Sequence, residues 1–251
     1  MTIESHIKLE NLGIGFISGK NCRTVFHGLN VLFESGNFIG IIGNNGLGKS
    51  TLIRTISGLQ DPLEGRVFCN GKNINHITKT DLAKMLAVVL TERVSGFNLT
   101  VNDFVTSGRT PYTNAFHVLT GHDKSEVLNA LALMGLETYG NNKLDELSDG
   151  MYQKAAIAKA LAQKTAAIVL DEPTAFLDFS SKHMLFSDLK KISQTENKCI
   201  LASSHDLDLV LHYCSHLLIM ASDNRYAFIK SDESFQHPLF NEITKGYFLK
   251  T

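Results

Sequence analysis

Cysteine is scarce in this 251-residue chain: there are four, Cys22, Cys69, Cys199 and Cys214, and no two form a C-x-x-C pair. That density is too low for a disulfide framework and suits reduced thiols in a cytosolic protein. Proline is also sparse, at four residues, and no internal repeat or low-complexity tract is present. No window approaches the roughly 18 uninterrupted apolar residues of a membrane-spanning helix. The N-terminus lacks a charged stretch followed by an apolar one, so neither a span nor a signal peptide is expected. A formal net charge of -1 supplies no global basic field, which argues against nucleic acid as a main partner. What the chain does have is 43% hydrophobic residues, ample for one large folded domain or a core with a smaller subdomain.

The most informative segment is Gly43-Asn44-Asn45-Gly46-Leu47-Gly48-Lys49-Ser50-Thr51, which fits the phosphate-binding pattern G-x-x-x-x-G-K-[ST] and follows the apolar run 38–42. Glycines let consecutive backbone N–H groups approach phosphate oxygens, and the dipole of the following helix favours the anion. Lys49 is expected to reach the β- and γ-phosphates of a nucleoside triphosphate, Ser50 to offer its hydroxyl to Mg2+, and Thr51 to hydrogen-bond the α-phosphate side.

Apolar runs at 38–42, 167–170 and 200–203 read as buried parallel strands. Helical periodicity marks 124–134, 150–162 and 180–192, while Gly65, Gly71 and Gly96 punctuate short strands and turns. Ligands of open α/β sheets sit beyond the carboxyl ends of the strands. Those ends carry the phosphate loop, Asp171-Glu172 and His205, so three distant stretches are expected at one site. There, Asp171 is suited to hold Mg2+ through water, and Glu172 to polarise the water that attacks the γ-phosphate. His212, Cys214 and His216 suggest zinc by residue type, but no fourth ligand is evident, and they read as structural.

Leu147-Ser148-Asp149-Gly150-Met151 precedes a helix-like segment with Gln153, Lys154, Ile157, Ala158, Lys159, Ala160 and Leu161. Here the chain resembles the ATP-binding subunits of ABC transporters, whose signature reads Leu-Ser-Gly-Gly-Gln. Ser148 and Gly150 match it, whereas Asp149 and Met151 depart from it. The resemblance implies ATP and Mg2+ as cofactors and a homodimer, in which the signature residues Ser148, Asp149 and Gly150 of one subunit close over the γ-phosphate held by the other. An aspartate beside a phosphate site costs affinity unless its side chain points away or meets a cation.

Further segments follow in the family's order. The stretch Ala175-Phe176-Leu177-Asp178 resembles the loop crossing the dimer interface, and Ser203-Ser204-His205-Asp206 resembles the switch whose histidine contacts the γ-phosphate. Phe16 falls where the family places an aromatic that stacks on adenine. Glu92 stands where the family carries a glutamine, and its carboxylate oxygen suits a metal-contact role. Lys49, Glu172 and His205 are thus the expected catalytic residues, and Ser50, Asp171 and Glu92 the expected metal contacts.

The fold implied is the α/β P-loop NTPase core of ABC ATPase type, a mixed sheet flanked by helices. Residues 1–92 and 148–251 are expected to form that core with an N-terminal β subdomain, and 93–147 an inserted helical subdomain, with no regulatory C-terminal domain. Leu99, Thr100, Val101 and the following Gly108-Arg109-Thr110-Pro111-Tyr112 look like the importer ATPases for iron-siderophore complexes, haem and cobalamin. That likeness implies integral membrane permease subunits as partners, a solute-binding protein indirectly, and a peripheral place on the cytoplasmic face of the inner membrane. Residues 92–112 are the candidates for the permease contact. The tail 231–251, with Phe235, Phe240, Tyr247 and Phe248, is expected to pack on the core. The readings set against this one are a regulatory ABC subunit with weak hydrolysis, motivated by Asp149 and Glu92, a non-transport ABC ATPase, and an exporter. No long coiled coil, second ATPase domain or basic nucleic-acid surface favours the second of these.

Overall fold

Apolar residues alternate along the first strands, and that alternation decides which face turns inward. The computed structural model describes residues 6–18, 21–93, 98–113 and 118–245; Gly96, Tyr247 and Phe248 lie outside them. Strand β1 (His6–Ser18) pairs antiparallel with β2 (Asn21–Glu34), burying Ile7, Leu9, Leu12 and Ile14 against Phe26, Leu29 and Phe33. The register shifts between Leu9 and Leu12, where Asn11 takes a φ of 45°, so the inward face resumes one step later at Leu12. β4 (Glu64–Cys69) pairs with the other edge of β1, and a turn at Asn70 and Gly71, both at positive φ, leads to β5 (Lys72–Asn73). The order of this sheet is β2-β1-β4-β5.

The second sheet holds six strands: β3 (Phe38–Gly43), β6 (Leu86–Val89), β7 (Ala167–Leu170), β8 (Cys199–Ser203), β9 (His216–Met220) and β10 (Tyr226–Lys230). Its order is β10-β9-β3-β8-β7-β6, parallel throughout except for β10 at the edge. Central strands buried on both faces explain the continuous apolar runs in the sequence. Phe38, Ile42, Ile168, Leu170, Ile200 and Ala202 face one core, and Ile39, Ile41, Val169 and Leu201 face the other. Helix α1 (Lys49–Ile56) fills the space between the two sheets with Leu52, Ile53 and Ile56, all fully buried.

On the other face lie α3 (Val101–Thr106), α4 (Gly121–Leu133), α5 (Asp149–Ala162), α6 (Phe179–Thr195), α7 (Leu207–Tyr213) and α8 (Pro238–Thr244); the short α2 (Lys79–Ala83) precedes β6. The periodic segments 150–162 and 180–192 sit inside α5 and α6, and 124–134 reaches one residue past α4 to its C-cap Met134; these helices start where a cap starts them. Thr120 and Asp123 form a capping box that begins α4 at Gly121, and Asp178 accepts from the Ser181 amide at the head of α6. Of the tail, Phe240 is fully buried while Phe235 remains mostly exposed, the two rings meeting edge to face. No helix among the described residues is long and apolar enough to cross a membrane.

Two contacts fix α5, which carries Ser148 at its head. A Cβ on Gly108 would fall 2.3 Å from the Lys159 carbonyl oxygen, so only glycine lets the 3-10 stretch Ser107–Tyr112 seat on α5. The next residue, Arg109, is 3% exposed; its Nε donates to Asp123 Oδ1 at 2.9 Å and its Nη1 to the Ala162 carbonyl at 2.9 Å, and the guanidinium lies 4.0 Å from the Tyr112 ring centroid. The Thr120 hydroxyl and backbone amide, and then Arg109, hold the Asp123 carboxyl down to about 2. Breaking a buried pair on one side leaves an uncompensated charge. Arg109→Ala is therefore expected to destabilise the fold by about 3 kcal/mol at neutral pH, read by denaturant unfolding. Because the folded carboxyl titrates below its unfolded value near ~3.9, the pair's contribution is complete above about pH 4 and is lost as the pH falls towards 2. The gap between variant and parent should narrow over that window by the part that comes from the Asp123 charge, leaving the part from the Ala162 carbonyl and the Tyr112 ring, and a gap constant with pH would refute the assignment.

Candidate active site

β3 ends where a phosphate loop must begin, and the loop turns back through Gly48 at φ 91°, with Ile14 and Val25 of the antiparallel sheet against it. A Cβ on Gly48 would lie 2.6 Å from Val25 Cγ1, so both backbone angle and space call for glycine. Gly48 caps α1 without a side-chain hydrogen bond, and Asn44, Asn45 and Gly46 are exposed. Lys49 is 6% exposed; its Nζ donates to the carbonyls of Gly43 at 2.8 Å and Asn44 at 3.3 Å. Burial lowers its pKa, with Glu172 and Asp171 pulling the other way. Ser50 is exposed, whereas Thr51 is buried and its carbonyl accepts from Thr55 Oγ1.

The parallel register of β7 and β8 sets Leu170 beside Ala202, so the residues just beyond them share one end of the sheet. Ser50 Oγ donates to Asp171 Oδ1 at 3.0 Å, and Ser203 Oγ donates to the same oxygen at 2.8 Å. The Glu172 amide in turn donates to Ser203 Oγ at 2.8 Å, and Thr91 Oγ1 donates to the Asp171 carbonyl at 2.9 Å. These bonds hold Glu172 at φ 45°, an uncommon angle for a side chain of this size. His205 Nε2 lies 2.6 Å from Glu172 Oε1. Lys49, Ser50, Asp171, Glu172 and His205 thus form one group, with a cation, a hydroxyl, two carboxylates and an imidazole around the loop.

Ser148, Asp149 and Gly150 form a second group. Ser148 is the N-cap of α5, accepting from the Met151 amide at 3.4 Å, and these three residues line one cleft with Phe176 and Asp178. Asp178 carries a carboxyl held below the usual range by the Ser181 amide and hydroxyl. Asp149 meets a cation: Arg93 Nη1 is 3.0 Å from its Oδ1. Glu92 is largely exposed, and its Oε1 is 2.5 Å from Arg54 Nη2 on α1. Phe16 is half exposed on β1, opposite Arg23 of β2.

Ser203 and Arg93 enter the sequence reading only as members of longer segments, and Thr91 and Arg54 have no role in it; all four contact expected site residues. Ser203 could have been found from strand pairing, since a hydroxyl on the last residue of β8 must neighbour the residue just past β7. Nothing in the local sequence signals Arg93, whose partners lie more than fifty residues away. Of the Cys and His residues set aside as structural, Cys214 is buried with its thiol pushed up by desolvation, while His216 stacks on Phe228.

The family model described as ABC transporter matches residues 26–175. The chain is 37% identical over 237 residues to an uncharacterised ABC transporter ATP-binding protein of Methanocaldococcus jannaschii, covering 94% of this chain and 80% of that protein. It is 34% identical to the ferric enterobactin transport ATP-binding protein of Escherichia coli, over 86% of this chain and 78% of that one. Among solved structures, the dimeric form of a bacterial ABC transporter cassette matches with a TM-score of 0.78 at 26% identity, covering 90% of this chain and 98% of that one. An ATP-binding cassette in its ADP conformation superposes with a TM-score of 0.81 at 24% identity, over 96% of this chain and 99% of that one, a likeness of fold. Sheet order, phosphate loop and relatives agree, and the chain belongs to the ABC transporter family as an ATP-binding subunit, an ATPase coupled to transport.

Proposed function

We propose that this chain binds and hydrolyses ATP as a homodimer that powers an importer of metal chelates: iron-siderophore complexes, haem or cobalamin. The hydrolytic half rests on one observation, Glu172 held at a left-handed angle by Ser203 with its carboxylate 2.6 Å from His205. A carboxylate so fixed accepts a proton from an attacking water, and His205 orients it towards the γ-phosphate. Lys49 binds the β- and γ-phosphates, Gly43, Asn44, Asn45, Gly46, Leu47 and Gly48 wrap them with backbone N–H groups, and Phe16 takes the adenine. Ser50 and Asp171 offer two hard oxygen donors, the set Mg2+ accepts alongside water and phosphate, so they would hold the ion. Mg2+ bound there neutralises phosphate charge during transfer. A metal contact by Glu92 requires it to exchange Arg54 for the ion.

Ser148, Asp149 and Gly150 face the nucleotide of the second subunit, with Asp178 in the loop that crosses between subunits. ATP then acts as an interface ligand whose hydrolysis reopens the dimer, and the permease alternates its access. The importer class is supported by the relatives named for ferric enterobactin and, in Halobacterium salinarum, for cobalamin import. The partners are membrane permease subunits, with a solute-binding protein acting through them, at the cytoplasmic face of the inner membrane.

Glu172→Gln is expected to cut steady-state phosphate release by at least about 100-fold while ATP still drives dimerisation, measured by sizing with nucleotide. A rate close to that of the parent protein would remove Glu172 from the mechanism. Tagged protein purified from detergent-solubilised membranes is expected to bring down a polytopic permease in stoichiometric amount. Recovery as a soluble species without such a partner would refute the transport assignment and leave the ATPase assignment standing.

A further inference from the structure

The departure from the family signature at residue 149 places a carboxylate at the first position of α5, a 14-residue helix. For the isolated helix that is favourable, because an anion near the N-terminus satisfies the dipole. For a helix whose N-terminus must receive a phosphate, the same charge opposes the ligand. The neighbouring guanidinium removes the conflict. Arg93 Nη1 is 3.0 Å from Asp149 Oδ1, its Nη2 donates to the carbonyls of Leu144 at 3.1 Å and Leu147 at 3.0 Å, and its Cζ lies 4.7 Å from the centroid of the Tyr152 ring. Three of those contacts do not involve Asp149, so the positive charge is anchored in place whatever the carboxylate does.

The more anchored partner is also the more sheltered one: the Arg93 side chain is 32% exposed against 61% for Asp149. A surface pair of this kind adds little to stability. Its effect is on the local field, which falls from one uncompensated negative charge to none. Arg93, Asp149, Gln153 and Glu172 line a single cleft, so that field belongs to the face on which chemistry is proposed. The preceding residue leans the other way, with Glu92 on Arg54 of α1. Consecutive residues of one loop therefore hold the phosphate-loop helix and the signature helix by charges of opposite sign.

We propose that Arg93 is a positioning residue for ATP capture, cancelling the Asp149 charge so that the signature end of α5 stays receptive to the γ-phosphate of the partner subunit's nucleotide. This rests on the reading that Ser148, Asp149 and Gly150 meet a nucleotide across the dimer. A residue that merely staples α5 to the preceding turn would matter equally whether or not residue 149 is charged.

The test is a double-mutant cycle in the full chain, measuring KM for ATP and the ATP concentration that half-saturates dimerisation. Arg93→Gln is expected to raise both roughly ten-fold, leaving kcat at saturating ATP within about two-fold. In the Asp149→Asn background the same change is expected to shift them less than about two-fold, and the parent-background penalty should shrink between about 0.05 and 0.5 M salt. Arg93→Lys, which keeps the charge but loses the guanidinium fork, covers the case of a poorly folding Gln variant and is expected to stay within about three-fold of the parent. Equal penalties in the two backgrounds, or none in either, overturn the proposal. Ser148→Ala separates the two levels: unchanged ATP-driven dimerisation there refutes the signature reading itself, whereas a loss there with background-independent Arg93 penalties refutes only the role given to Arg93.

Discussion

Asp171 sets a condition that the surrounding structure meets from several directions. A carboxylate that is 6% exposed at the end of a strand must have its oxygens satisfied by protein groups. One of its oxygens receives both Ser50, from the first turn of α1, and Ser203, from the end of β8, while Thr91 fixes its carbonyl from beyond β6. Three strand ends and a helix start are thereby drawn to one point. Shifting any of these strands by one residue would turn the hydroxyl away and leave the charge unpaired, so register and site are the same constraint. Glu172 inherits its position from this cluster, since the serine that serves Asp171 also receives the Glu172 amide.

The second group of residues depends on different forces. α5 is held at its far end by the Gly108 contact and by the bond from Arg109 to the Ala162 carbonyl, and at its near end by Arg93. The far-end contacts involve none of the strand ends around Asp171, whereas Arg93 shares a cleft with Glu172. One group of residues is built on a parallel sheet and the other, given the signature role in the proposed function, on a helix packed on other helices. Their meeting is left to the symmetry of a dimer in the proposed function. Phe176 in the loop and Phe179 at the start of α6 are both exposed beside Asp178.

The parts legible in the sequence were those encoded by short-range pattern. Apolar runs announced the buried strands because both faces of a parallel sheet are covered, and the parallel order then put their tips together. Helix ends were less legible; the caps Thr120 and Asp178 set them, and a cap is one residue rather than a period. The long hairpin of β1 and β2 was obscured because the bulge at Asn11 breaks the alternation that signals a strand. The roles of Arg93 and Arg54 were invisible, since they lie in partners remote along the chain.

The seat of Gly108 on Lys159 has a mechanical consequence. Backbone rests on backbone there, so no long side chain can rotate to widen the joint between the 3-10 stretch and α5. From that joint to Ser148 the helix runs for about 11 residues, or roughly 16 Å at 1.5 Å each. Over that length a tilt of about 10° would carry the serine about 3 Å, the length of one hydrogen bond, so the seat at Gly108 and the Arg93 contacts at the other end together fix where Ser148 stands.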